Sequence, residues 1–99
     1  MHARHVTVKG DPAKADEVVR SLNEVVLPAL RECAGFKGQL LLLDRAKGEA
    51  IGISLWDTEE NMNASEEKVR VARQQTADTG GAQAPPEVRL YELPIFEQA

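Results

Sequence analysis

Four consecutive leucines, Leu40 to Leu43, lie between Gly38-Gln39 and the turn-forming run Asp44-Arg45-Ala46-Lys47-Gly48. A strand turns successive side chains to opposite faces of its sheet. A strand of four leucines therefore places large apolar groups on both faces. A chain of 99 residues can cover one face with its own helices. The other face needs a cover, and a second copy of the chain is the simplest source. One of Leu41 and Leu42 then belongs to the core and the other to the subunit interface. Residues 1–99 read as a single domain, near the size where one core is only modestly stable and subunit contacts add to it.

The formal net charge of −4 and the pI near 5.1 set the chain against phosphate backbones, so no nucleic-acid partner is expected. No apolar run reaches bilayer length, so no membrane partner is expected. Met1-His2-Ala3-Arg4-His5 has no signal-peptide apolar region, and a cytoplasmic location is the expectation. The single cysteine, Cys33, excludes an intrachain disulfide and any CxxC metal or redox pair. On the first helix it reads as a small buried hydrophobe.

Val6 and Val8 alternate with polar neighbours in a first strand that ends at Gly10. Asp11-Pro12 then reads as an N-cap followed by proline at the first helical position. The stripe Val18, Val19, Leu22, Val25, Val26, Ala29, Leu30 and Cys33 has helical spacing, with a kink expected at Pro28. Gly35 suits the left-handed position after this helix. Strands follow over about Lys37–Asp44 and Glu49–Asp57, joined by a hairpin in which Gly48 supplies positive φ. A bulge at Gly48 would exchange their faces, so the register stays open. Asp57 to Glu60 resembles a capping box, opening a polar helix to about Asp78. Its thin stripe is Met62, Ser65 or Ala64, Val69, Ala72 and Thr76, with Glu66 and Arg70 as an i,i+4 pair. Lys68, Arg70 and Arg73 interleave with Glu66 and Glu67 as a solvated face. Thr79 to Pro86 is a loop, Glu87–Leu93 a last strand, and Ile95-Phe96 an apolar tail that could clasp a partner.

The order βαββαβ is the ferredoxin-like α+β plan, an antiparallel sheet with both helices on one face. The segment Gly35-Phe36-Lys37-Gly38, the leucine strand, and Trp56-Asp57-Thr58-Glu59-Glu60 resemble the antibiotic biosynthesis monooxygenase-like domains of the dimeric α/β-barrel superfamily. The resemblance implies a homodimer whose two sheets face each other, with a ligand cavity between helices and sheet in each subunit. It implies cofactor-free oxygenation of an activated phenol as the reaction class if the chain is an enzyme, and so no cofactor. It also admits a haem-binding or haem-degrading protein, and a non-enzymatic ligand-binding or stress-response dimer. The quinone-forming type places an asparagine on the strand before the tryptophan, where this chain has Gly52 and Ser54. The haem-degrading type needs a histidine on the second helix, where this chain has Glu66.

Trp56 shares a face of its strand with Ala50, Gly52 and Ser54. Three small residues and one large ring form either the floor and wall of a pocket or a place where a helix packs close. On the first reading Trp56, Gly52, Ser54 and Tyr91 bind a small aromatic or apolar ligand. His5, whose imidazole could act as acid or base, and Trp56 are then the catalytic candidates. Two histidines without placed carboxylates make no metal site.

Overall fold

The computed structural model describes residues 1–99. Four strands, β1 (His2–Lys9), β2 (Phe36–Asp44), β3 (Glu49–Trp56) and β4 (Glu87–Glu92), form one antiparallel sheet in the order β2-β3-β1-β4. Four helical segments, α1 (Ala15–Ser21), α2 (Leu27–Arg31), α3 (Glu59–Ala64) and α4 (Glu66–Thr79), complete the expected βαββαβ plan. None is long and apolar enough to cross a membrane.

Asp11 opens the first helical stretch by accepting the Ala13 N–H at 2.9 Å, with Pro12 at the first position. A kink is expected at Pro28; the chain widens into a π-helical stretch at Leu22–Val26, just before it. Leu27 N–H bonds to Leu22 C=O, five residues back. Proline has no N–H and crowds the preceding turn. The wider turn spreads that defect, and the apolar stripe continues through Val26 and Leu30 into the core. Cys33 is half-buried at its end, and its thiol donates to Ala29 C=O.

The second helix is two. Ser65 breaks it, its hydroxyl donating back to Met62 C=O at 2.7 Å. The capping residue is Thr58, one place later than the sequence suggests. Its Oγ1 accepts the Asn61 N–H, while Asp57 accepts from Thr58 N–H and the Asn61 side chain. Gly35 has a φ of +80°, and any side chain there would strike Asp57 and Asn61, so the turn and the cap are built against each other.

The sheet register answers which leucine faces where. The irregularity falls between Phe36 and Gly38 and not at Gly48. Leu41 pairs with Gly52 and Leu43 with Ala50 on the helix-covered face; Leu40 pairs with Ile53 and Leu42 with Ile51 on the other. Leu40 and Leu42 are 42% and 51% exposed. The core sits between helices and sheet, around Val26, Leu30, Trp56, Met62, Val69 and Ala72.

Hydrogen bonding from Asn61 holds the Asp57 carboxyl below the usual carboxylate range, with a smaller opposing effect of desolvation. A folded-state pKa below the unfolded one contributes stability above the unfolded value, lost as pH falls through the folded value. Asp57→Asn should therefore lower the urea midpoint near neutrality and lose less stability than the parent on acidification. Urea titrations at neutral and acid pH check both.

Candidate functional site

The cavity between helices and sheet is bounded below by β1, β2 and β3 and above by α1, the π stretch, α2 and α4. Its walls are mostly apolar, with Val6, Leu22, Val26, Leu41 and Val69 among them. Five polar side chains enter this lining: Arg4, Gln39, Ser54, Arg73 and Thr76. The free space is about 60 Å³, room for about four to six waters or one small ring. Gly52 keeps that space open, since a Cβ there would come within 3.1 Å of the Gln39 amide nitrogen.

Arg4 is the central polar group. It is only 2% exposed, in phase with Val6 and Val8 on the covered face of β1. Its Nη2 donates to Met62 C=O at 2.6 Å and to Ser65 Oγ at 2.9 Å, tying the sheet to the break between α3 and α4. Its guanidinium stands 5.5 Å from the Trp56 ring centroid, within cation–π range. Arg73, 9% exposed, reaches from α4 and forms a two-pronged pair with Glu66, through Nη1 to Oε2 at 3.2 Å and Nη2 to Oε1. Glu66 Oε1 also lies 3.5 Å from Arg4 Nε. One carboxylate thus serves two buried guanidiniums. Burial pushes both arginines below their ordinary pKa, and the Glu66 charge opposes that shift. Both remain cations at any physiological pH.

Four buried polar atoms of this lining have no hydrogen-bond partner: Arg4 Nε, Arg4 Nη1, Arg73 Nε and Gln39 Oε1. Unsatisfied buried polar groups are rare because each forfeits its hydration. All four belong to residues that line the cavity.

Of the residues singled out from sequence, Gly52 and Ser54 line the cavity. Trp56 lies behind them, fully buried, and its indole N–H donates to Ser54 Oγ at 2.9 Å. It also packs edge-on against Phe36, with ring centroids 5.6 Å apart. Trp56 therefore orients a wall residue without forming the wall. His5 and Tyr91 stand on the other face of the sheet, 6.2 Å apart, edge to face. They share no cavity with Trp56, because His5 alternates with Arg4 along β1.

Arg4 and Arg73 escape a reading of the sequence as strand Val6–Val8 and solvated helix. The signals are positional. Arg4 continues the i, i+2, i+4 series of Val6 and Val8, and Arg73 sits four after Val69 and three before Thr76, on the buried stripe. Glu66 accordingly pairs two turns along, with Arg73, and not with Arg70.

No protein-family model matches the chain. Two uncharacterised proteins of Mycobacterium tuberculosis are related in sequence. Rv2558 is 39% identical over 77 residues, 78% of this chain and 33% of its own length. Rv2557 is 36% identical over 93 residues, 94% of this chain and 41% of its own length. The chain thus spans well under half the length of these relatives. Among solved structures, the ActVA-Orf6 monooxygenase of Streptomyces coelicolor, in complex with nanaomycin D, superposes with a TM-score of 0.80 at 17% identity, covering 99% of this chain and 91% of that one. The NE2512 protein of unknown function from Nitrosomonas europaea gives 0.78 at 17% identity, covering 99% and 93%. A Deinococcus radiodurans protein of the antibiotic biosynthesis monooxygenase type gives 0.73 at 18% identity, covering 100% and 98%.

Removing the shared carboxylate would leave two buried cations facing each other. Glu66→Gln should lower stability by about 1–3 kcal/mol, less than for a wholly buried pair because Glu66 is partly solvated. Urea unfolding of the variant beside the parent measures it. Element order, sheet order and superposition agree: this chain has the ferredoxin-like α+β fold of the antibiotic biosynthesis monooxygenase-like proteins.

Proposed function

We propose that the chain works as a homodimer whose helix-to-sheet cavity takes a small aromatic ligand, with cofactor-independent oxygenation as the reaction class. The observation that carries this reading is the cavity, apolar in most of its lining with unpartnered polar atoms on two buried arginines. The ActVA-Orf6 monooxygenase, solved with nanaomycin D, shares the fold across nearly the whole chain.

In such chemistry the substrate itself supplies the electrons. An activated CH₂ beside a phenol or enol loses a proton, and the carbanion passes an electron pair to dioxygen. A C–O bond forms and the O–O bond breaks. One oxygen stays as the new carbonyl; the other leaves as water with both hydrogens. Arg4 and Arg73 would stabilise the oxyanion of the deprotonated substrate, since fixed positive charge in a dry site is worth more than in water. Trp56 acts through Ser54 in this scheme, and His5 belongs to the subunit interface.

A second reading, a non-enzymatic ligand-binding module, is favoured by one observation. The polar lining consists of arginine, glutamine, serine and threonine, and holds no base that titrates near neutrality. Haem fits less well. No histidine, cysteine, methionine or tyrosine lines the cavity to ligate iron, and the free space is far below a porphyrin. Oxygen uptake with a panel of dihydroxy-aromatics decides between the first two. Oxygenation predicts uptake above background that falls by about tenfold or more in Arg73→Met. Background rates with the parent favour the binding module.

The dimer rests on the open face of the sheet. Leu40, Leu42, Ile51, Ile53 and Tyr91 share it, and burying the exposed parts of Leu40 and Leu42 contributes about 1 kcal/mol each. The relatives' extra length leaves room for a second unit of this size, which would cover the same face within one chain. Sedimentation should show a dimer at micromolar concentration. Leu42→Glu should give a folded monomer by circular dichroism, and Leu41→Glu, on the covered face among the cavity walls, should fail to fold. A parent that is monomeric at every concentration contradicts the dimer.

A further inference from the structure

We infer that the ligand of this cavity carries one negative charge, a carboxylate on a single apolar ring or a chain of similar size, received by Arg4 and Arg73. This deepens the reading of the cavity as a small-ligand site and depends on it.

The charge count comes first. Two guanidiniums line the cavity and cannot lose their protons. The one carboxylate paired with them is Glu66. The site therefore holds one uncompensated positive charge in a largely apolar enclosure, where an unpaired charge is costly. A monoanion restores neutrality; a dianion would overshoot it.

The hydrogen-bond count points the same way. The structural work of Arg4, holding Met62 C=O and Ser65, uses only Nη2. The pairing of Arg73 with Glu66 uses only Nη1 and Nη2. Arg4 Nη1 and Arg73 Nε, both N–H donors, are left over, while Arg4 Nε already faces Glu66 Oε1 at 3.5 Å. A carboxylate has two oxygens that accept such bonds, and charge-assisted bonds to guanidinium are the strong kind. Phosphate matches less well, because it is larger and brings close to two charges at neutral pH. The surrounding valines and leucines then accept the apolar remainder, and about 60 Å³ of free space limits it to about one ring.

Benzoate and its neutral isostere benzamide test this with the full chain. Trp56 is the sole tryptophan and stacks against Arg4, so its emission reports on the cavity. Isothermal titration gives the affinities independently. Benzoate should bind about tenfold or more tighter than benzamide. Arg73→Met should bring the two within about twofold, and Arg73→Lys, which keeps the charge, should retain part of the preference. Arginine Nε–H signals in ¹⁵N spectra of the parent should shift with benzoate and stay put with benzamide, a readout that survives if Arg73→Met does not fold. Equal affinities for the two probes in the parent would overturn the charge assignment while leaving the cavity as a ligand site. Failure of both probes to bind at millimolar concentration would overturn the assignment and the ligand-site reading together. A benzoate preference unchanged in both Arg73→Met and Arg4→Met would place the anion elsewhere and overturn it as well.

Discussion

A single carboxylate, Glu66, stands between two buried guanidiniums. Around it the rest of the structure is arranged. Arg4 brings the charge from the middle of the sheet and Arg73 from the helix above, so the ion pair joins the two layers. Arg4 also holds the carbonyl of Met62 and the hydroxyl of Ser65, where the second helical stretch breaks into α3 and α4. Packing alone would build a simpler core, since a buried ion pair is seldom the most stable choice for its volume.

The two faces of the sheet divide the work. The covered face carries Arg4, Gln39, Ser54 and the small residues Ala50 and Gly52, which leave room for the cavity. The open face carries Leu40, Leu42, Ile51, Ile53, His5 and Tyr91. Strand alternation turns one run of sequence into both a cavity lining and an exposed apolar face. That is why four adjacent leucines divide: Leu41 and Leu43 turn half-buried to the covered face, and Leu40 and Leu42 stay exposed on the other.

Much of this architecture is legible in the sequence. Alternation and turn chemistry specify the four strands, the Gly35 turn and the shared face of Ala50, Gly52, Ser54 and Trp56. Three features are not. The π stretch before Pro28 is a response of the backbone to a missing donor, and composition does not say which turn widens. The Ser65 break is held by Arg4, sixty-one residues away, as well as by its own bond to Met62. The arginine pair itself hides because arginine usually signals solvent. Only the phase of Arg4 with Val6 and Val8, and of Arg73 with Val69 and Thr76, places them inside. Trp56 is legible as a residue of the covered face, but whether it forms the wall or lies behind Ser54 is decided by three-dimensional packing.

The most direct measurement is a high-resolution crystal structure of the protein grown with benzoate. The account predicts a carboxylate inside the cavity, its oxygens about 3 Å from Arg4 Nη1 and Arg73 Nε, with Glu66 still bridging the two arginines. Guanidiniums swung out to solvent, or a cavity closed by Leu41 and Leu22 with benzoate absent from it, would contradict the account.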